Sequence, residues 1–120
     1  MKIAIPQWQG RVSPVFDASN RLLLVDIEDN REISRVEVKM IHDDPLGRAK
    51  HLAFLGVDTL ICGAISSSLA DAIVSSNIEI IACTCGPVGS VLDAFLHDRL
   101  SNSEFIMPGC DKQRRYFHHL

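Results

Sequence analysis

The chain has 120 residues, 47% hydrophobic and 22% charged, which suits one domain around a single core and leaves no apolar stretch near the roughly 18 residues that span a bilayer. The net charge is −3: Lys112, Arg114 and Arg115 against Asp111 give the end of the chain +2 and leave −5 for residues 1–110. A weakly acidic body excludes the clustered basic face that nucleic acid requires. The opening Met-Lys-Ile-Ala-Ile-Pro reaches proline before a signal-peptide core can form, so the protein is expected in the cytoplasm. In that reducing compartment four cysteines are buried apolar residues or reactive and metal-binding thiols rather than a disulfide framework.

Lys2 to Pro6 alternates around Ile3 and Ile5 and predicts a first strand. The loop 7–20, with Trp8, Gly10, Pro14 and Phe16, is too long for a simple turn. Arg21 to Glu28 and Glu32 to Met40 predict a hairpin around Asp29-Asn30-Arg31. Asp44-Pro45 then reads as an N-cap and first helical position, with Leu46, Ala49 and Ala53 on one face and Gly56 as the stop. Val57 to Cys62 is a short apolar strand ended by Gly63. Ser68 and Asp71 have capping-box spacing for a second helix, whose stripe is Leu69, Ala72 and Ile73 and whose end is Asn77. Ile78 to Cys83 predicts the next strand. Gly86-Pro87 opens a third helix, in which Val88, Val91, Leu92, Phe95 and Leu96 match the i, i+3, i+4, i+7, i+8 pattern. The order β-β-β-α-β-α-β-α predicts an α/β domain over residues 1–100 with a mixed five-stranded sheet, because crossover helices make the last strands parallel to their neighbours. Residues 101–120 lack apolar periodicity and read as a mobile Cys/His-containing basic tail, whose last ten residues the fold should not need.

Ligands in such sheets bind outside the carboxyl ends of parallel strands, where helix amino termini present free N–H groups. Cys62 and Cys83 end predicted strands and suit burial, while Cys85 precedes the third helix, whose macrodipole favours a thiolate. Cys110, His118 and His119 in the tail are further candidate ligands. His42, Asp43 and Asp44 read as ordinary partners of a helix start, and His51 and His97 as surface helix residues. No phosphate loop, nucleophile elbow or His-Glu-X-X-His pair is present, so no enzymatic machinery is legible. The first strand also has no acidic residue for two-metal nuclease chemistry.

Met1 to Pro6, Gly10-Arg-Val-Ser-Pro-Val-Phe16 and Leu22-Leu-Leu-Val-Asp26 resemble the opening of the dinitrogenase iron-molybdenum cofactor biosynthesis family, the group of NifX and the carboxyl-terminal domain of NifB. Leu55 to Gly63, Cys85-Gly-Pro-Val88 and Val91 to Leu96 are similar to its later segments, and Phe105 to Cys110 to the tail of some stand-alone members. Many members carry a histidine before the phenylalanine of the first long loop, where this chain has Val15. The resemblance implies a ribonuclease H-like fold without nuclease activity. It implies a non-catalytic binding or carrier protein for an iron-sulfur or molybdenum-iron-sulfur cluster, with a cluster donor or acceptor protein as partner. On that reading Cys85, Cys110, Cys83, His118 and His119 are the metal ligands, and Gln7, Trp8, Arg11, Ser13, Gly63, Ala64, Ser66 and Gly86 line the site. The competing readings are a metal-free interaction or regulatory module and a thiol-redox protein using Cys83 and Cys85.

Overall fold

The computed structural model describes residues 1–111 and 115–117. Among them are three α-helices and a mixed sheet of seven strands rather than five. The strands are β1 (Lys2–Trp8), β2 (Arg11–Val12), β3 (Arg21–Glu28), β4 (Arg31–Lys39), β5 (Thr59–Ile61), β6 (Glu79–Ile81) and β7 (Tyr116–Phe117). The helices are α1 (Pro45–Phe54), α2 (Ser67–Ser75) and α3 (Val88–Leu96). The sheet runs β4-β3-β1-β5-β6-β7, with β2 paired to β1. Strands β1, β5 and β6 are mutually parallel, whereas β3, β4 and β7 run antiparallel to their neighbours. The two strands beyond the expected five are two residues each, too short to show a period in the sequence.

Alternation along β1 splits the core in two. Ala4 faces α1 and α2 together with Leu24, Leu52, Leu60, Cys62 and Ile73, while Ile3 and Ile5 face α3 with Val25, Ile61, Val91 and Leu92. The hairpin between β3 and β4 turns through Asp29 and Asn30 at φ 52 and 61, the paired left-handed residues of a type I′ turn. Asp44 caps α1 by accepting from the Gly47 N–H at 2.9 Å, with Pro45 at the first helical position.

Three local expectations change. The buried face of α1 is Arg48, Ala49 and Leu52, so Leu46 and Ala53 point outward; Arg48 enters the core because its Nη1 donates to the Phe16 and Ser19 carbonyls at 3.1 and 2.7 Å. Ser66 rather than Ser68 caps α2, its hydroxyl accepting from the Leu69 N–H, and the buried stripe is Leu69, Ala70 and Ile73. The described part of the tail is docked. Ser103–Phe105 forms a 3-10 turn with Phe105 in the core, and Arg115 is fully buried just before β7. Arg115 Nε donates to the Ala82 carbonyl at 3.0 Å, Nη1 to the Leu100 carbonyl at 2.9 Å and Nη2 to Thr84 Oγ1 at 2.8 Å. These neutral acceptors explain how a residue that reads as solvated can be buried.

Candidate functional site

The three parallel strands end on one edge of the sheet, and the loops that leave them are stitched together there. The Val12 N–H donates to the Gly86 carbonyl at 3.0 Å and the Val88 N–H to the Gly10 carbonyl at 2.9 Å, which ties the loop after β1 to the start of α3. The Phe16 N–H donates to Ala64 and the Ala64 N–H to Pro14, both at 2.8 Å, joining the same loop to the one after β5. The Cys83 N–H reaches the Gly63 carbonyl and the Thr84 N–H the Cys62 carbonyl, both at 2.9 Å. Gly63 lies so close to this seam that a Cβ there would stand 2.6 Å from the Ser13 and Pro14 carbonyl oxygens. A side chain is excluded by contact with backbone, which cannot swing aside.

Asp17, not singled out from sequence, ties the seam to α2: its carboxylate accepts from the Ser66 N–H at 2.8 Å and the Ser66 hydroxyl at 2.5 Å. Arg48 holds the carbonyls on either side of Asp17, and its guanidinium lies 5.5 Å over the Phe16 ring. Ser13 is buried with its hydroxyl toward the Val15 carbonyl, Gly63 and Gly86 are buried, Ala64 is half-buried, and Arg11 and Ser66 are exposed. Gln7 and Trp8 line a cavity of about 400 Å³ with Gln9, Gly10, Asn20, Arg21 and Glu37, where Gln7 Nε2 donates to Glu37 at 2.8 Å.

The thiols divide by environment. Cys62 is fully buried, and desolvation pushes its thiol far above the ordinary range, which keeps it neutral. Cys83 is half-buried rather than sealed in the core. Burial, reinforced by the neighbouring Cys110 thiol, pushes its thiol up to about 11, and the Arg115 guanidinium pulls the other way. Cys110 is brought toward Cys83 by the backbone, the Met107 N–H donating to the Cys83 carbonyl at 2.9 Å and the Cys110 N–H to the Met107 carbonyl at 3.2 Å. The Cys85 thiol is directed instead at the Glu104 carbonyl at 3.7 Å, and the Cys85 N–H donates to Phe105 at 3.0 Å. Among the described residues no group of three or more His, Cys, Asp or Glu side chains is arranged to hold a metal ion, and His118 and His119 lie outside those residues. Asp44 is a helix cap, as expected of the acids at that start, and His97 is exposed on Asp93. His51 is half-buried against His42, ring centroids 5.3 Å apart, with Nδ1 buried and unpartnered among the described residues. No described helix is long and apolar enough to cross a membrane.

A family profile described as dinitrogenase iron-molybdenum cofactor matches residues 1–98. Solved structures with similar folds include the following three. A candidate dinitrogenase from Methanocaldococcus jannaschii is 26% identical with a TM-score of 0.67, over 82% of this chain and 90% of that one. The apo form of the orange protein from Desulfovibrio gigas is 21% identical with a TM-score of 0.68, over 82% and 88%. A candidate NifB protein from Thermotoga is 20% identical with a TM-score of 0.66, over 82% and 89%. No curated protein matches the chain.

Proposed function

The chain belongs to the dinitrogenase iron-molybdenum cofactor family, and we propose that it is a non-catalytic cytoplasmic carrier of a metal-sulfur cluster, iron-sulfur or molybdenum-iron-sulfur, received from or handed to a protein partner. The observation that carries this reading is the placement of Cys83, Cys85 and Cys110 around the edge where the loops after β1, β5 and β6 meet. Thiolates are soft ligands suited to iron and to molybdenum-sulfide cargo. Loop residues 7–13 and 63–66 form the walls in this reading. His118 and His119 are additional donors for the same cargo. The strand order, with β1 central between antiparallel β3 and parallel β5, supports the ribonuclease H-like assignment.

Absorption tests the reading. Apo-protein offered iron and sulfide, or a thiomolybdate, without oxygen and then desalted should keep a visible spectrum that persists at high ionic strength, because coordination is not screened as adsorption to a basic tail is. A colourless protein after every such treatment would favour the second reading, a metal-free interaction module. The observation behind that alternative is the outer surface around α1, where Phe54 is 88%, Ile41 74% and Leu46 58% exposed.

A further inference from the structure

The turn after the 3-10 segment joins two cysteines that are distant in sequence. The Met107 N–H donates to the Cys83 carbonyl at 2.9 Å, and the Cys110 N–H closes onto the Met107 carbonyl at 3.2 Å. Pro108 and Gly109 occupy the central positions, and Gly109 has φ 85, so the turn is type II. It returns residue 110 toward residue 83, near enough for Cys110 to contribute to the raised titration of Cys83. Both are free and partly exposed, which gives a small reagent access. The other two thiols are engaged elsewhere, Cys62 in the core and Cys85 toward the Glu104 carbonyl.

We propose that Cys83 and Cys110 form a reversible disulfide by exchange with a low-molecular-weight disulfide. One thiolate of the pair attacks a sulfur of the small disulfide, forming a mixed disulfide and expelling one small thiolate. The second protein thiolate then attacks the protein sulfur of that mixed disulfide, forming the Cys83–Cys110 bond and expelling the second small thiolate. Both departing thiolates take up the protons lost by the protein, so two protein thiols are oxidised as one small disulfide is reduced. The turn already brings the two residues together, so the second step is intramolecular and outruns a second adduct. The bond does not depend on the cluster-carrier reading. If that reading holds, the closed form withholds two thiolates from the cargo.

The test uses the reduced full chain, free of metal and oxygen, with a chelator present, incubated with glutathione disulfide and then acid-quenched, alkylated and weighed. Wild type should lose two hydrogens without retaining an adduct, yield a peptide linking residues 83 and 110, and leave Cys62 and Cys85 alkylated after unfolding. Cys85→Ser should behave identically, whereas Cys83→Ser and Cys110→Ser should each stop at a mixed disulfide. Glutathione adducts persisting on both Cys83 and Cys110 of wild type, a link through Cys85, or an unchanged mass while a model dithiol is oxidised would each overturn the proposal. Because no metal is present, failure here leaves the cluster-carrier reading standing, and failed cluster loading leaves this one standing.

Discussion

Replacing Arg115 with methionine should cost this protein a large share of its stability. The side chain is fully buried and donates to the Ala82 carbonyl, the Leu100 carbonyl and Thr84 Oγ1. Its loss is unequal at the three acceptors. Ala82 still accepts from the Thr84 hydroxyl at 3.3 Å, and Thr84 still donates, but no other side-chain donor replaces Arg115 at Leu100 among the described residues. One stranded carbonyl and two weakened partners, at about 1–3 kcal/mol for an unsatisfied group, partly offset by relief of a buried cation, give a net loss of about 2–4 kcal/mol. Against a total of ~5–15 kcal/mol, that moves a urea midpoint visibly. Arg99→Met is the control, because its pair with Asp93 is exposed and is worth about 0.5 kcal/mol or less. If Arg115→Met unfolds at the midpoint of wild type, residues 115–117 do not dock on β6 and the seven-stranded sheet is wrong.

Gly63→Ala should destabilise by about 2–4 kcal/mol, since the new methyl meets two backbone oxygens and the loops after β1 and β5 must part; denaturant unfolding checks this, and a neutral outcome refutes the close approach. Cys62→Ser should cost about 1–3 kcal/mol by burying a hydroxyl, and Cys85→Ser less, so the reverse ranking in the same assay would misplace both thiols. Cys83 has its folded titration raised from the ordinary thiol value of 9.0 to about 11, so it stays neutral in the fold after it would ionise in the unfolded chain. Its contribution is complete below pH 9 and is lost as pH rises toward 11. Urea unfolding across that window should show a decline that is shallower in Cys83→Ser, and parallel declines would contradict the assignment.

Sequence reasoning succeeded where a local pattern and the tertiary context agree. Arg21–Glu28 alternates against a buried face and forms a strand with those bounds, and Asp44-Pro45 carries its own capping chemistry. It failed where distant partners decide. Arg115 reads as solvated because nothing near it in sequence announces the carbonyls of Ala82 and Leu100. Arg48 displaced Leu46 from the inner face of α1 because the Phe16 and Ser19 carbonyls are brought to it by the loop after β1. Cys83 and Cys85 look like the natural pair, yet the Pro108-Gly109 turn brings Cys110 back toward Cys83; only those two turn residues hinted at it. The edge itself was legible, since Cys85-Gly-Pro lies between a strand and a helix.

The central claim, that the thiols at this edge hold a metal-sulfur cargo, is tested most directly by counting metal per chain after anaerobic loading and desalting. Wild type, Cys85→Ala, Cys110→Ala and the variant with Cys83, Cys85 and Cys110 all replaced by alanine would be compared with the structurally placed Cys62→Ala. The account predicts retained metal in wild type and Cys62→Ala, less in each single variant and none in the triple variant, with loading in wild type falling as pH drops because the ligands must be deprotonated. Equal retention by wild type and the triple variant, or none by wild type, would contradict it.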